Sequence, residues 1–363
     1  MHVTLVSGFD ATKPSAGGTR THVESLLAFL RQSQIPSLLI TGGIRWEVAE
    51  DRCTLPVRRP NSTFAFQAAL CSMLPDLPIP EDSIIHAHRP DDLLPVLLHG
   101  IGIGRICTLH GNPARYVPSR HGRLVSALYG VAERLALRHS DQVLTVDTRT
   151  ASEYGAKYSW LRGRVRTIPN GIDTIAFHSM DRSRAKQVWG VSGCVFLYAG
   201  RLEPDKNVRQ IVQAFRTLRN SGAVLLIAGD GGMRRVLEVD ARGLDVRFLG
   251  PIARSEMPSL INAADAGVLF SDEGLSSFAL EALSCGVPLI ATPTGGLSDV
   301  VRPGENGYLV STPEELVGAM AAVLRGAILP NPSLAEAVYR YAWPIVGKEL
   351  LAVYRDVWSG RDA

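Results

Sequence analysis

The sequence predicts an α/β protein made of two doubly wound parallel-sheet domains, and three observations carry that expectation. Short apolar, β-branched runs alternate with helical stretches along the whole chain, the pattern of repeated βαβ units. These runs are apolar almost throughout, as strands are when helices cover both faces of a parallel sheet. The chain has 363 residues, more than the roughly 250–300 at which single cores usually stop growing.

In the first half the strand-like runs are "VTLVSG" (3–8), "SLLITGG" (37–43), "IIHAH" (84–88), "ICTLHG" (106–111) and "QVLTV" (142–146). In the second they are "VFLYAG" (195–200), "VLLIAGDGG" (224–232), "VRFLG" (246–250), "AGVLFSD" (266–272) and "PLIAT" (288–292). Many end in Gly, Asp, Asn or His, where doubly wound folds place their ligand crevice. Between the halves, "RTIPNGIDTIAFHSMDRSRAKQVWG" (166–190) has a Pro-Asn-Gly turn signal and then polar sequence without a strand pattern. The division is therefore a first domain at 1–170, a linker at 171–189 and a second domain at 190–342. "WPIVGKELLAVYRDVW" (343–358) has helical apolar spacing. The expected arrangement is two domains facing each other across a cleft, and function is expected there.

Composition narrows the classes. Hydrophobic residues make up 46% and charged residues 20%, a globular balance. A formal charge of +3 is too small to argue for nucleic acid. The five cysteines are scattered with no CxxC, so neither a disulfide framework nor a zinc site is expected, and reduced thiols in a cytoplasmic protein are the simplest reading. "MHVTLVSGFD" lacks the features of a signal peptide, and no run of ~18 apolar residues spans a membrane. Peripheral contact with a membrane stays open.

The densest candidate chemistry is "SDEGLSSFALEALSCGVPLIAT" (271–292), with Glu273 and Glu281 around an apolar helix start near Ser277. A helix start after a strand presents unpaired N–H groups and positive dipole, a seat for phosphate or sugar hydroxyls. Glu281 stands about a turn into that helix, in a run that reads as core, so it needs either a partner or a job. It is placed to accept from a diol such as ribose; the other reading is a helix-end carboxylate plus a surface glutamate. "YAGRLEPDKNV" (198–208) brings Arg201 and Lys206 to a strand's end, where a guanidinium fork and an ammonium suit a pyrophosphate, unless both are simply solvated.

In "SAGGTRTHV" (15–23), Gly17 and Gly18 precede a helical run and allow close backbone approach to a ligand. It is not GxGxxG, and "GIGIG" (100–104) precedes a strand instead of following one, which disfavours an NAD(P) enzyme. His110 in "TLHGN" ends a strand and reads as structural or as a site residue. His86 and His88 fall on one side of a strand, but with no third ligand in view a metal is not expected. "RYVPSRHGRLVSALYGVAERLALRHS" (115–140) is a basic entry to an amphipathic helix. It reads as a solvated face, or as a rim attracting a phosphorylated acceptor or an anionic membrane.

Taken in order, "GGTRTHV", "IIHAH", "TLHGN", "TIPNGIDTIAF", "AGRLEPDKNV", "LLIAGDGG", "RFLGPI", "EGLSSFALEALSCGVPLIATPTGG" and "VRPGENGYLV" resemble the retaining GT-B glycosyltransferases of family 4. The resemblance implies a GT-B fold, an acceptor-binding first domain onto which the helix at 344–358 packs back, and a donor-binding second domain. It implies that Glu281 holds the nucleotide ribose and Glu273 the donor hexose, with Gly274, Leu275, Ser276, Ser277 and Phe278 meeting sugar or phosphate. Arg201 and Lys206 would bind the diphosphate, joined by Gly17 and Gly18, and His110 would lie beside the sugar. His110, Glu273, Arg201 and Lys206 are the implied catalytic set, and Asp10, Thr19, His110, Asn112, Arg115 and Tyr116 the implied acceptor side.

The implied reaction moves a hexosyl unit from a UDP- or GDP-sugar to a hydroxyl of a small-molecule or glycolipid acceptor. It proceeds by front-side attack with retention and without an essential metal or other cofactor. The family's usual Gly-Phe-Gly after the first glutamate is Gly274-Leu275-Ser276 here, so donor identity does not carry across. A nucleotide-sugar 2-epimerase of the same architecture and a catalytically silent GT-B binding module remain as alternatives.

Overall fold

The structure is a computed structural model that describes residues 1–11, 18–57, 62–111, 117–271 and 275–360. Among the described residues the chain divides into two compact units, one of residues 1–11, 19–171 and 344–360, the other of Gly18 and residues 172–343.

The first unit runs β1 (His2–Asp10), α1 (Gly18–Gln32), β2 (Ser37–Gly43), β3 (Glu47–Ala49), β4 (Arg52–Pro56), α2 (Thr63–Met73), β5 (Ser83–Ala87), α3 (Leu94–His99), β6 (Gly104–Leu109), α4 (Val117–Arg138), β7 (Gln142–Thr145), α5 (Thr148–Lys157) and β8 (Val165–Thr167). Its eight strands lie in the order β3-β4-β2-β1-β5-β6-β7-β8. All neighbours are parallel except the β3/β4 pair. Leu5, Val6, Ile84, Ile85 and Ile106 are wholly buried, as strands between two helix layers require. Strand order reverses between β1 and β5, so the chain leaves those strands in opposite directions and opens a crevice at their carboxyl ends.

The second unit runs α6 (Arg182–Val188), β9 (Val195–Ala199), α7 (Val208–Arg216), β10 (Val224–Ala228), α8 (Arg234–Asp240), β11 (Val246–Gly250), α9 (Met257–Ala263), β12 (Ala266–Leu269), α10 (Ser277–Ser284), β13 (Leu289–Ala291), α11 (Leu297–Val300), β14 (Gly307–Leu309) and α12 (Pro313–Leu324). The six strands are parallel in the order β11-β10-β9-β12-β13-β14, reversing between β9 and β12. A wall of fully buried side chains from Val195, Phe196, Leu197, Leu225, Ile227, Val268, Leu289 and Ile290 forms the middle of its core.

The segment expected to be a linker at 171–189 instead folds into the second unit. Ile172 pairs with Ala342, and Phe177 is buried with its carbonyl accepting from Ser284 Oγ at 2.5 Å. Arg182 and Lys186 on α6 both reach Asp265, at 2.8 and 2.7 Å, and Asp265 also accepts from the Val195 N–H. Polar residues misled the reading because they are the clamp itself: a carboxylate at the foot of the sheet gathers two cations and a backbone donor. Strands β3, β4, β8 and β14 were also absent from the sequence reading, being short or, in β4, carrying Arg and Pro.

The last helix, α13 (Trp343–Ser359), falls almost wholly within the first unit. Tyr354 on it is buried and shares a 2.7 Å hydrogen bond with His86 Nδ1 on β5. Gly347 gives Phe29 of α1 room to lie against the helix axis. In the second unit the loop after β10 rests on the loop after β9 backbone to backbone. Gly229 has φ +126°, and a Cβ there would run into the Gly200 carbonyl. One on Gly231 would stand 2.5–2.8 Å from the Leu202 backbone. The substitution Gly229→Ala is therefore expected to cost at least about 1–3 kcal/mol. Urea unfolding checks this, and a midpoint equal to that of the unaltered chain would contradict the packing described.

Candidate functional site

In the second unit, candidate residues gather where strand order reverses. β9 runs into Gly200 and Arg201, whose carbonyl accepts from Tyr198 Oη at 2.8 Å. Leu202 N–H donates to Asp230 and Met233 N–H to Leu202, tying the two loops together. Arg201 lies 3.4 Å from Asp205, both about one-third exposed. Lys206 closes a short 3-10 turn, and Asn207, with φ +52°, starts α7 in the left-handed region that Asn tolerates. Two cations thus stand on one loop at the carboxyl end of the central strand.

On the other side of the reversal, Ser276 caps α10 and its Oγ accepts from the Ala279 N–H at 3.2 Å. The N–H groups of Ser277 and Phe278 open the helix, where no intrahelical acceptor exists for them. Leu275 and Phe278 are buried, the latter against Gly267 of β12. Glu281 is 3% exposed and receives Arg254 NH1 on Oε1, while that guanidinium stacks 4.3 Å from the centre of the Phe177 ring. Burial pushes the Glu281 carboxyl up, and Arg254 opposes that shift. A carboxylate has two oxygens and about four lone-pair sites, so Oε2 keeps acceptor capacity beside the ion pair.

In the first unit the reversal between β1 and β5 gathers histidines. His86 is locked from both sides, Nδ1 by Tyr354 Oη and Nε2 by Thr108 Oγ1, each at 2.7 Å. His88 lies 4.4 Å from it ring to ring, and His88 Nδ1 is 3.1 Å from His110 Nε2. His22, from α1, sets its ring edge-on to those of His88 and His110 at 5.5 and 5.0 Å. Burial lowers all four, His22 to about 4 and His86 to about 3, so the cluster is neutral at pH 7. Four residues after His88, Asp92 is wholly buried, accepting from Gln67 at 2.7 Å and from the Gly8 N–H at 3.4 Å. Burial pushes its carboxyl up to about 7 against the pull of Arg89.

Comparison with known proteins places this geometry. The profile described as "Glycosyl transferases group 1" matches residues 179–341, and that described as "Glycosyltransferase Family 4" matches 16–175. The chain belongs to the group 1, family 4 glycosyltransferases. It is 29% identical over 254 residues to the D-inositol 3-phosphate glycosyltransferase of Acidothermus cellulolyticus, covering 64% of this chain and 56% of that one. The chain thus spans little more than half the length of that relative. It is 28% identical to the GDP-mannose-dependent alpha-(1-6)-phosphatidylinositol dimannoside mannosyltransferase of Mycobacterium tuberculosis, covering 89% and 88%. The fold matches sucrose-phosphate synthase from Thermosynechococcus elongatus with a TM-score of 0.82 at 19% identity, over 99% and 100% of the two chains. The architecture is that of the GT-B glycosyltransferases.

Of the site residues expected from the sequence, Gly17, Asn112, Arg115, Tyr116, Glu273 and Gly274 lie outside the described residues. Arg201, Lys206, Leu275, Ser276, Ser277, Phe278 and Glu281 sit at the strand reversal of the second unit. Gly18 and Thr19 open α1, and His110 follows β6. Asp10 ends β1, is buried, and its carbonyl accepts from Arg20.

The sequence reading missed Arg254, which lies 27 residues before Glu281 with no periodicity to join them. His22 and the way His110 completes a trio with His88 were not evident either, because the three come from three separate elements of the fold.

The Glu281–Arg254 pair makes a pH-dependent prediction. A carboxyl raised by burial binds its proton more readily folded than unfolded, so stability falls as pH rises from its ordinary 4.5 through the raised value. Arg254→Met removes the opposing cation and extends that loss. Because Arg254 is half exposed, the expected cost at pH 7 is about 1–2 kcal/mol, below that for a fully buried pair. It should shrink toward pH 4.5 and vanish when Glu281→Gln is added. Denaturant unfolding at pH 7 and pH 5 decides it; an equal loss at both would show that Arg254 acts through packing alone.

Proposed function

We propose that the protein transfers a hexosyl unit from a nucleotide-diphosphate sugar to a hydroxyl of a small-molecule or glycolipid acceptor, with retention of anomeric configuration. The observation that carries this is the buried Glu281 one turn into a helix that starts at the strand reversal of the second unit, opposite the Arg201–Lys206 loop. A ribose diol matches a carboxylate acceptor. A diphosphate matches two cations and the N–H groups of a helix start. The mycobacterial relative is named for dependence on GDP-mannose, which supports a nucleotide-sugar donor and leaves the base open between UDP and GDP.

In this reading the acceptor oxygen bonds to the sugar's anomeric carbon as the bond to the phosphate oxygen breaks. The acceptor proton passes to the departing diphosphate on the same face. Charge then grows on the leaving group, and in this reading Arg201, Lys206 and the α10 N–H groups stabilise it. That is why no metal is assigned to the chemical step. By the sequence resemblance we assign Glu273 and Gly274 to the donor sugar, Gly17 and Gly18 to the phosphates, His110 to the sugar, and Asp10, Thr19, Asn112, Arg115 and Tyr116 to the acceptor side.

No helix among the described residues is long and apolar enough to cross a membrane. The five free cysteines fit a reducing compartment and support a cytoplasmic location, with contact at the inner membrane face when the acceptor is a lipid.

Thermal shifts against UDP, GDP, ADP and TDP and their sugars test the reading. A ligand at 100 times its dissociation constant stabilises by roughly 2.7 kcal/mol. Glu281→Gln and Lys206→Ala are each expected to weaken nucleotide-sugar binding by about 1.5–3 kcal/mol, one to two powers of ten. Unaltered affinity in both folded variants would remove the site assignment.

A further inference from the structure

Three elements of the first unit each bring one histidine to the same point: α1 brings His22, the residue after β5 is His88, and the residue after β6 is His110. The nitrogens they can offer lie within 4.8 Å of one another. We propose that His22, His88 and His110 form a site for a divalent transition-metal ion of the zinc class.

The geometry is close to what such an ion demands. Zinc binds imidazole nitrogen at roughly 2.0–2.1 Å, so two ligands of a tetrahedron stand about 3.3 Å apart. His88 Nδ1 and His110 Nε2 are already 3.1 Å apart. His22 has to bring its nitrogen closer by about 1–1.5 Å, within reach of a side-chain rotation. A set of three imidazoles suits Zn²⁺, Cu²⁺ or Ni²⁺ and not the oxygen-seeking Mg²⁺ or Ca²⁺. His86, fixed by Tyr354 and Thr108, forms a rigid floor under His88.

Three neutral ligands leave the ion's charge uncompensated. Among the described residues no carboxylate is bonded to a ring nitrogen of His88 or His110, and a missing outer partner of that kind typically costs 10–100-fold in affinity. The site is therefore exchangeable and not structural. Its consequence rests on the proposed transfer reaction: an ion here takes His110 away from the donor sugar, so it inhibits a reaction that needs no metal.

The test titrates Co²⁺ into the purified full-length chain and follows visible absorption, which is intense for tetrahedral imidazole ligation and weak for the hydrated ion. One equivalent is expected, displaced by Zn²⁺. His22→Gln and His110→Asn should each weaken it at least about tenfold, with folding checked by circular dichroism. His110 is the least buried of the three, so its variant decides the matter if the other does not fold. Two results overturn the proposal. One is the lack of a stoichiometric visible band in the folded protein. The other is a band that survives both substitutions and disappears in His99→Gln together with a near-ultraviolet thiolate band; it would place the ion at the Cys71–His99 pair, whose atoms are 3.8 Å apart. Zn²⁺ should further reduce the thermal shift given by the nucleotide sugar and spare that given by the free nucleotide. A protein that takes up Co²⁺ as described but responds to no nucleotide would sink the transferase reading and leave the metal site standing.

Discussion

Strand polarity is the constraint on which the rest depends. In a parallel sheet every carboxyl end lies along one edge, and the right-handed crossovers return helix N-termini to that same edge. Where successive crossovers leave toward opposite sides, nothing fills the gap between the two central strands. The first unit reverses between β1 and β5 and the second between β9 and β12. Each reversal sets side chains from distant parts of the sequence facing one another. At the first stand Gly8, Asp10, His86, His88 and, on the next strand, His110; at the second, Arg201 and the start of α10. Position in the topology, more than any local motif, makes these residues neighbours.

Such an edge is an uncomfortable place for polar groups, and the structure shows the discomfort. Asp92 and Glu281 are carboxyls held above their ordinary range by burial, and four histidines are held below theirs. Each state is destabilising by itself, since a buried group that cannot ionise freely has lost solvation without full replacement. The apolar sheets beneath offset that cost. Some buried polar groups, by contrast, are fully employed: Glu133 accepts from Tyr154 and Tyr158, each at 2.9 Å, and from Lys157. Asp265 likewise serves Arg182, Lys186 and the Val195 amide. The contrast separates polar groups that hold the fold from polar groups held by it. Incomplete satisfaction, as at His88, belongs to the second kind.

Fold class was legible because strand composition reports burial on two faces, and that signal is local. Ten of the strands were read within a few residues, and α10 begins at Ser277 as its serine-rich cap implied. What escaped notice were short strands such as β8 and β14, whose three residues hold too little pattern to register. The segment at 171–189 was misjudged because polar composition does not tell a solvated tether from an ion-paired clamp. The distinction lies in Asp265, some eighty residues away. For the same reason Glu281 raised the question of a partner without naming Arg254.

One rule would have recovered part of what was missed. Residues that end adjacent parallel strands stand side by side, so "HAH" and "TLHG" at the ends of neighbouring strands should have been read as one cluster. The rule needs the strand order, and the order follows from the crossovers of a doubly wound fold once the first reversal is located. It would not have found Tyr354. That residue comes from α13, whose return to the first unit is a matter of packing, with Gly347 yielding to Phe29. Yet Tyr354 and Thr108 together occupy both nitrogens of His86, so His86 has no ring nitrogen left to offer His88. The last helix thereby decides that His88 must turn to His110, and the chemistry at this edge is set partly by the end of the chain farthest from it in sequence.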